Sequence, residues 1–280
     1  MLLDNLYIYD CEVYKYDWAF VFKQVNSNHH VVIKNDYDEI SAFVDEQPLL
    51  AGFNCKHYDQ WILKAALLGL PPEQLKQISD DIIVRGIPGW QMPVFYGCGI
   101  RIQQFDLMDD CQKGLSLKAI EGHLGMDICE TTIPFDIDRK LTAEEMDEVI
   151  HYCKHDVDAT EMIYKLRKVY IENKLTLAKE KGIDPVTALG MTNAKLTAAY
   201  LDAKRQEHDD ERNYIFPEDI LWHYVPEEVV QFFEKIHDKS IPDEELFSMS
   251  LDFKIGDCAT RIGWGGAHGS INNYSEEGDI

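Results

Sequence analysis

The chain has 280 residues, 45% hydrophobic and 11% aromatic, enough to bury roughly three quarters of its unfolded surface in one or two domains; this excludes a disordered chain. Net charge is −23, from 27 Lys and Arg against 50 Asp and Glu, which argues against a free-standing protein that grips duplex DNA by general electrostatics. No apolar run reaches the ~20 residues of a membrane span, and the opening MLLDNLYIYDCE has no basic n-region or cleavage pattern. The seven Cys stand singly at 11, 55, 98, 111, 129, 153 and 258 with no CxxC pair, so a zinc ribbon and a disulfide framework are both disfavoured. A reduced, cytoplasmic protein is the expectation.

Leu6 to Tyr9, Trp18 to Phe22 and Val31 to Ile33 read as strands, Asp36 to Val44 has helical spacing, and Leu49 to Phe53 is a short buried strand. Tyr58 to Leu68 is predicted as a helix capped by Gly69, with Pro71-Pro72 preventing its continuation. Arg101 to Phe105 alternates like a strand, and Ser116 is the expected N-cap of a helix to Leu124. Thr142-Ala143-Glu144-Glu145 reads as a cap and acidic first turn. The helix it opens either breaks around Cys153 or runs on towards Lys168. Strands followed by strands mixed with helices predict an α/β sheet. Thr187 to Arg205 and Val225 to Ile236 are further helical stretches, 206–217 is a charged linker or surface loop, and the chain is glycine-rich from Gly256.

Candidate chemistry lies in carboxylates. Asp10 and Glu12, two apart at the end of an apolar strand, point to one face, where oxygen ligands suit a hard divalent cation. Asp59 falls in the first turn of a helix, a place the helix dipole favours in any protein. Tyr152 and Asp156, four apart, share a helix face. Each feature alone is equally at home on a solvated surface.

In order and spacing the set Asp-x-Glu, Asn-x-x-x-Tyr-Asp and Tyr-x-x-x-Asp resembles the three motifs of DEDD-class 3′→5′ exonucleases. The resemblance is closest to the exonuclease domain of phage-type family B DNA polymerases, and it covers about residues 4–170. It implies a ribonuclease H-like fold, a mixed central sheet flanked by helices, and metal-dependent proofreading hydrolysis of a DNA 3′ end. It further implies that Asp10, Glu12 and Asp156 hold two Mg²⁺ or Mn²⁺ ions, with Asp59 contributing through water, and that Tyr152 orients the attacking water. Two ions serve both ends of an in-line displacement. Asn54 and Tyr58 would lie near an unpaired 3′ end, and Lys118, in GLSLKAIEGHLGM, is a candidate phosphate contact or a snorkelling surface lysine. His151, five before Asp156, has the spacing of the subclass that uses His as the base; the phrase YCKHDVDAT favours Tyr152 and leaves His155 and Asp158 as bystanders.

The phrase GWGGAHG (263–269) resembles the segment joining exonuclease to polymerase palm, and the sequence reaches Asp279-Ile280 without a polymerase motif. The expected organisation is an exonuclease domain over 1–175, a mainly helical connection over 176–250 and a truncated polymerase-type segment over 251–280. The expected partners are a single-stranded or frayed DNA primer end and the remainder of a polymerase, in a host cytoplasm if the protein is viral. A stand-alone exonuclease acting on RNA or single-stranded DNA, and a catalytically silent module, are the alternatives.

Overall fold

A computed structural model describes residues 2–111, 114–204, 212, 215, 218–264 and 266–270. The expected 206–217 loop, apart from Arg212 and Ile215, and the final Asp279-Ile280 lie outside the described residues. The chain divides into two compact units, one ending at Ala203 and the other starting at Lys204.

The first unit opens with an antiparallel meander of β1 (Leu6–Val13), β2 (Trp18–Gln24) and β3 (His30–Lys34). Helix α1 (Tyr37–Asp45), N-capped by the Asp36 side chain, carries the chain across to β4 (Leu49–Gly52), which lies parallel to β1. Then come α2 (Asp59–Leu67), α3 (Pro72–Ile83) and β5 (Gln104–Asp106), parallel to β4. The result, among the described residues, is a five-stranded mixed sheet in the order β3-β2-β1-β4-β5. Next are α4 (Leu117–Leu124), α5 (Ala143–Lys181), α6 (Pro185–Leu189) and α7 (Asn193–Tyr200).

Helices cover both faces of the sheet, which is why its central strands are apolar on both sides. Tyr9, Cys11 and Val13 of β1 join Trp18, Phe20 and Phe22 against α2 and α3. Leu6 and Ile8 face the other way, and with Val21, Ala51 and Phe105 they pack on Cys153 and Val157 of α5. This alternation sends Asp10 and Glu12 to the α5 side.

Three helices differ from what the sequence suggested. Pro71-Pro72, expected only as a stop, also opens α3, because Pro72 sits in the first turn where a missing N–H costs nothing. Helix α5 passes Cys153 unbroken, crosses the expected boundary at 175 and ends at left-handed Gly182. Its 39 residues span about 58 Å. The stretch from Thr187 is not one helix: α6 ends at Gly190, and Thr192 caps a new start for α7.

The second unit holds α8 (Glu227–Glu234), α9 (Asp243–Ser248) and a three-stranded antiparallel meander of β6 (Ser250–Ile255), β7 (Cys258–Gly263) and β8 (Gly266–Ser270). Gly256 takes positive φ in the two-residue turn between paired Ile255 and Cys258, so part of the glycine-rich segment encodes hairpins. Trp264 stacks on Phe232 with ring centroids 5.4 Å apart.

The N-terminus of α5 is fixed by a reciprocal cap: Glu145 N–H donates to Thr142 Oγ1 at 3.2 Å, and Thr142 N–H to Glu145 Oε2 at 2.8 Å. Replacing Thr142 by Ala is expected to cost about 1 kcal/mol, read as a lower urea midpoint at unchanged m-value.

Candidate active site

Strand β1 outruns its parallel neighbour. Pairing with β4 ends at Ile8–Ala51, while pairing with β2 continues to Val13–Trp18. Residues 10–13 therefore border an open gap beyond the end of β4, the ordinary position of a ligand site in a sheet with parallel strands. The chain leaves β4 through Gly52, where a Cβ would meet Cys55 Cβ at 2.7 Å and the Tyr9 carbonyl at 3.0 Å; only glycine allows so close a turn. Asn54 follows in the left-handed region at φ 64°, a conformation Asn tolerates.

A residue the sequence did not single out holds this turn. Asp106, at the end of β5 and buried, accepts the backbone N–H groups of Asn54 at 2.8 Å, Lys56 at 2.9 Å and Met108 at 3.0 Å. The turn then delivers Tyr58 and starts α2 at Asp59. No sequence signal marks Asp106 beyond its position at a strand end.

The three motifs converge. Asp10 and Glu12 on β1, Tyr58 before α2, and Tyr152 and Asp156 on α5 line a cleft of about 500 Å³, together with Lys76, Ser79, Ile83, Val84, Phe135 and Asp136. Asp59 lies in the wall rather than on the lining, 3% exposed, accepting the Cys11 thiol at 3.2 Å. Tyr58 is fixed by a 2.9 Å hydrogen bond between its hydroxyl and Ser79 Oγ. Lys118, half-buried on α4, donates to Asp156, stands 3.4 Å from buried Glu121, and has its ammonium 4.9 Å from the Tyr152 ring centre. Asn54 is not among the lining residues, and His151 is exposed on the helix flank. His155 points towards Glu121 at 3.8 Å, and Asp158 pairs with Lys23 and His30 away from the cleft.

The electrostatics are those of like charges packed together. Burial and then the charges of Asp59, Glu12 and Asp156 hold the Asp10 carboxyl well above the ordinary range. Burial, Asp156 and Asp59 do the same to Glu12, with Lys118 opposing. Burial drives Asp59 up to about 7, partly offset by the Cys11 hydrogen bond. Burial, with the Asp156 and Glu12 charges, also raises the Tyr152 hydroxyl, so it is a proton donor at any physiological pH. Glu12, 8% exposed, has no hydrogen-bond donor among the described residues. A carboxylate without a donor at the cleft, beside three more, offers oxygen atoms of the kind that could hold a hard divalent cation.

Comparison with known protein families, curated proteins and solved structures returns no match.

Two outcomes are expected. Asp106→Ala orphans three backbone donors and should destabilise the chain by about 2 kcal/mol in urea unfolding, with Asp106→Asn recovering part of the loss. In the second, between pH values of about 4 and 7 folded Asp59 keeps a proton that the unfolded chain has lost, so lower pH favours folding. In chelator the urea midpoint should rise as pH falls through that window. Asp59→Asn should flatten the dependence, as should saturating Mg²⁺; an equal slope in all three would contradict it.

Proposed function

We propose that the chain is a metal-dependent 3′→5′ exonuclease hydrolysing phosphodiesters from DNA 3′ ends, on a ribonuclease H-like scaffold, as the proofreading part of a DNA polymerase. The observation that carries this reading is the meeting of Asp10, Glu12, Asp59 and Asp156, from β1, α2 and α5, around one open cleft beside Tyr152. The mixed sheet with helices on both faces is compatible with that scaffold.

Asp10, Glu12 and Asp156 would hold Mg²⁺ or Mn²⁺, with Asp59 supporting from the wall. Bound there, the ions supply an activated water and stabilise the departing 3′ oxygen. Tyr152, which lines the cleft with its hydroxyl protonated and next to Asp156, would orient the attacking water. Lys118 brings positive charge to Asp156 and would meet a phosphate oxygen there. Ile83, Val84 and Phe135, exposed at the rim, offer apolar surface to an unpaired base, as does Tyr58. The rim suits a frayed or single-stranded end better than a paired one.

A 5′-labelled single strand and a mismatched primer–template, incubated with Mg²⁺, should give a ladder shortening from the 3′ end that chelation abolishes. Asp156→Ala should lower kcat at least about 10³-fold, and Tyr152→Phe about 10- to 100-fold. His151→Ala should stay within about twofold of wild type, since an exposed side chain supplies no interaction to the transition state. Intact DNA with the folded wild-type chain in both Mg²⁺ and Mn²⁺ would end this reading. A matched RNA strand tests the substrate: cleavage of RNA alone would replace the DNA assignment.

A further inference from the structure

Cys153 is a buried thiol behind the carboxylates of this cleft that the hydrolytic reading leaves unused. It sits on α5 between Tyr152 and Asp156, is fully buried, and its thiol donates to Asp10 Oδ2 at 3.4 Å. One oxygen of Asp10, one of Glu12 and the Cys153 sulfur all lie within 4.8 Å of one another. One ion reaches all three with side-chain shifts of under about 1 Å, given bonds of roughly 2.0–2.2 Å to oxygen and 2.3 Å to sulfur.

One feature beyond the triangle points to an ion at this spot. The Glu12 carboxylate is more than nine-tenths buried, lines the cleft and has no donor among the described residues. The third vertex of the triangle is a thiol, which a hard ion ignores and a thiophilic ion prefers. We propose that Asp10, Glu12 and Cys153 form a binding site for a thiophilic divalent ion, Zn²⁺ or Cd²⁺, which competes for the carboxylates that the activating ion needs and arrests hydrolysis. On binding, the Cys153 S–H bond breaks, a sulfur–metal bond forms and the proton passes to solvent, with no change of oxidation state. The arrest rests on the hydrolytic function proposed above; the ligation does not.

The test is a titration of the full chain with Cd²⁺, following the sulfur-to-cadmium charge-transfer absorbance for wild type, Cys153→Ser and Glu12→Gln. Wild type should develop the band within the first equivalent. Cys153→Ser should lose it at that stoichiometry, and Glu12→Gln, which keeps every thiol, should need at least about tenfold more Cd²⁺. In Mg²⁺-supported hydrolysis, the Zn²⁺ concentration giving half inhibition should be at least tenfold higher for Cys153→Ser, each protein measured against its own uninhibited rate. An unchanged first-equivalent band in Cys153→Ser, or an unchanged Zn²⁺ midpoint in an active enzyme, overturns the inference. A Cys153-dependent band in a chain that cleaves no strand removes the exonuclease and leaves the metal site. Should Cys153→Ser fail to fold, zinc-edge X-ray absorption on wild type at one equivalent decides the matter. A sulfur neighbour near about 2.3 Å that Glu12→Gln loses supports the site, and a shell of oxygen alone overturns it.

Discussion

Mutual repulsion among Asp10, Glu12, Asp59 and Asp156 is the constraint that the rest of this fold answers. At about 4 Å and an effective dielectric constant near 20, one pair of like charges costs about 4 kcal/mol, a large share of the stability of any domain. Lys118 offsets part of it through Asp156, and protonation of Asp10, Glu12 and Asp59 relieves more. A divalent cation would relieve most of it, so occupancy of the cleft and stability of the fold are thermodynamically one quantity.

Holding such a cluster open requires rigid supports, and they come from both layers. Strand β1 is locked in register to β2 along its whole length, and β2 to β3, so Asp10 and Glu12 cannot retreat by a slip of register without turning their apolar neighbours out of the core. Tyr152, Cys153 and Asp156 ride on α5, whose Cys153 and Val157 pack against Ile8 and Phe105. Asp59 depends on the longest chain of causes: Asp106 holds the turn after β4, Gly52 lets that turn approach Tyr9, and α2 then begins where Cys11 can donate to the carboxylate. The support for a carboxylate is thus another carboxylate: Asp106 is held by three backbone N–H groups, and Asp59 takes the Cys11 thiol and backbone N–H groups yet stays raised by burial.

What was legible in the sequence follows from the range of the interactions. A spacing of two on a strand and of four on a helix puts side chains on one face by local geometry alone, so Asp10 with Glu12, and Tyr152 with Asp156, could be paired before any fold was known. The Ser116 and Thr142 caps were equally local. Asp106, Glu121 and Ser79 owe their roles to contacts 21 to 52 residues away or to burial, and no short pattern announces them. Lys118 is intermediate: its phrase drew notice, but only the packing of α4 beside α5 turns a surface lysine into the cation at Asp156. The antiparallel meander of the second unit was hidden by glycines, which mark its turns as readily as they would mark a loop.

The acidity of the whole chain sits uneasily with a nucleic-acid substrate, and length scale resolves the conflict. At physiological ionic strength exposed charges are screened beyond about 8 Å, so most of the net −23 acts weakly on a strand end inside the cleft. Within that radius lie the cleft's own groups: the carboxylates with any cations they hold, Lys118 paired with Asp156, and Lys76 paired with Asp80. The rim contributes apolar rather than basic surface, through Ile83, Val84 and Phe135. Under the proposed function, such a site would engage a nucleotide by stacking and by local charge at one phosphate rather than by a grip along the backbone. Its preference would then fall on ends that are already unpaired, because stacking on the rim needs a base that has left its partner. Repulsion of the remaining duplex by the acidic surface would push in the same direction, so under that proposal the overall charge would contribute to selectivity instead of opposing binding.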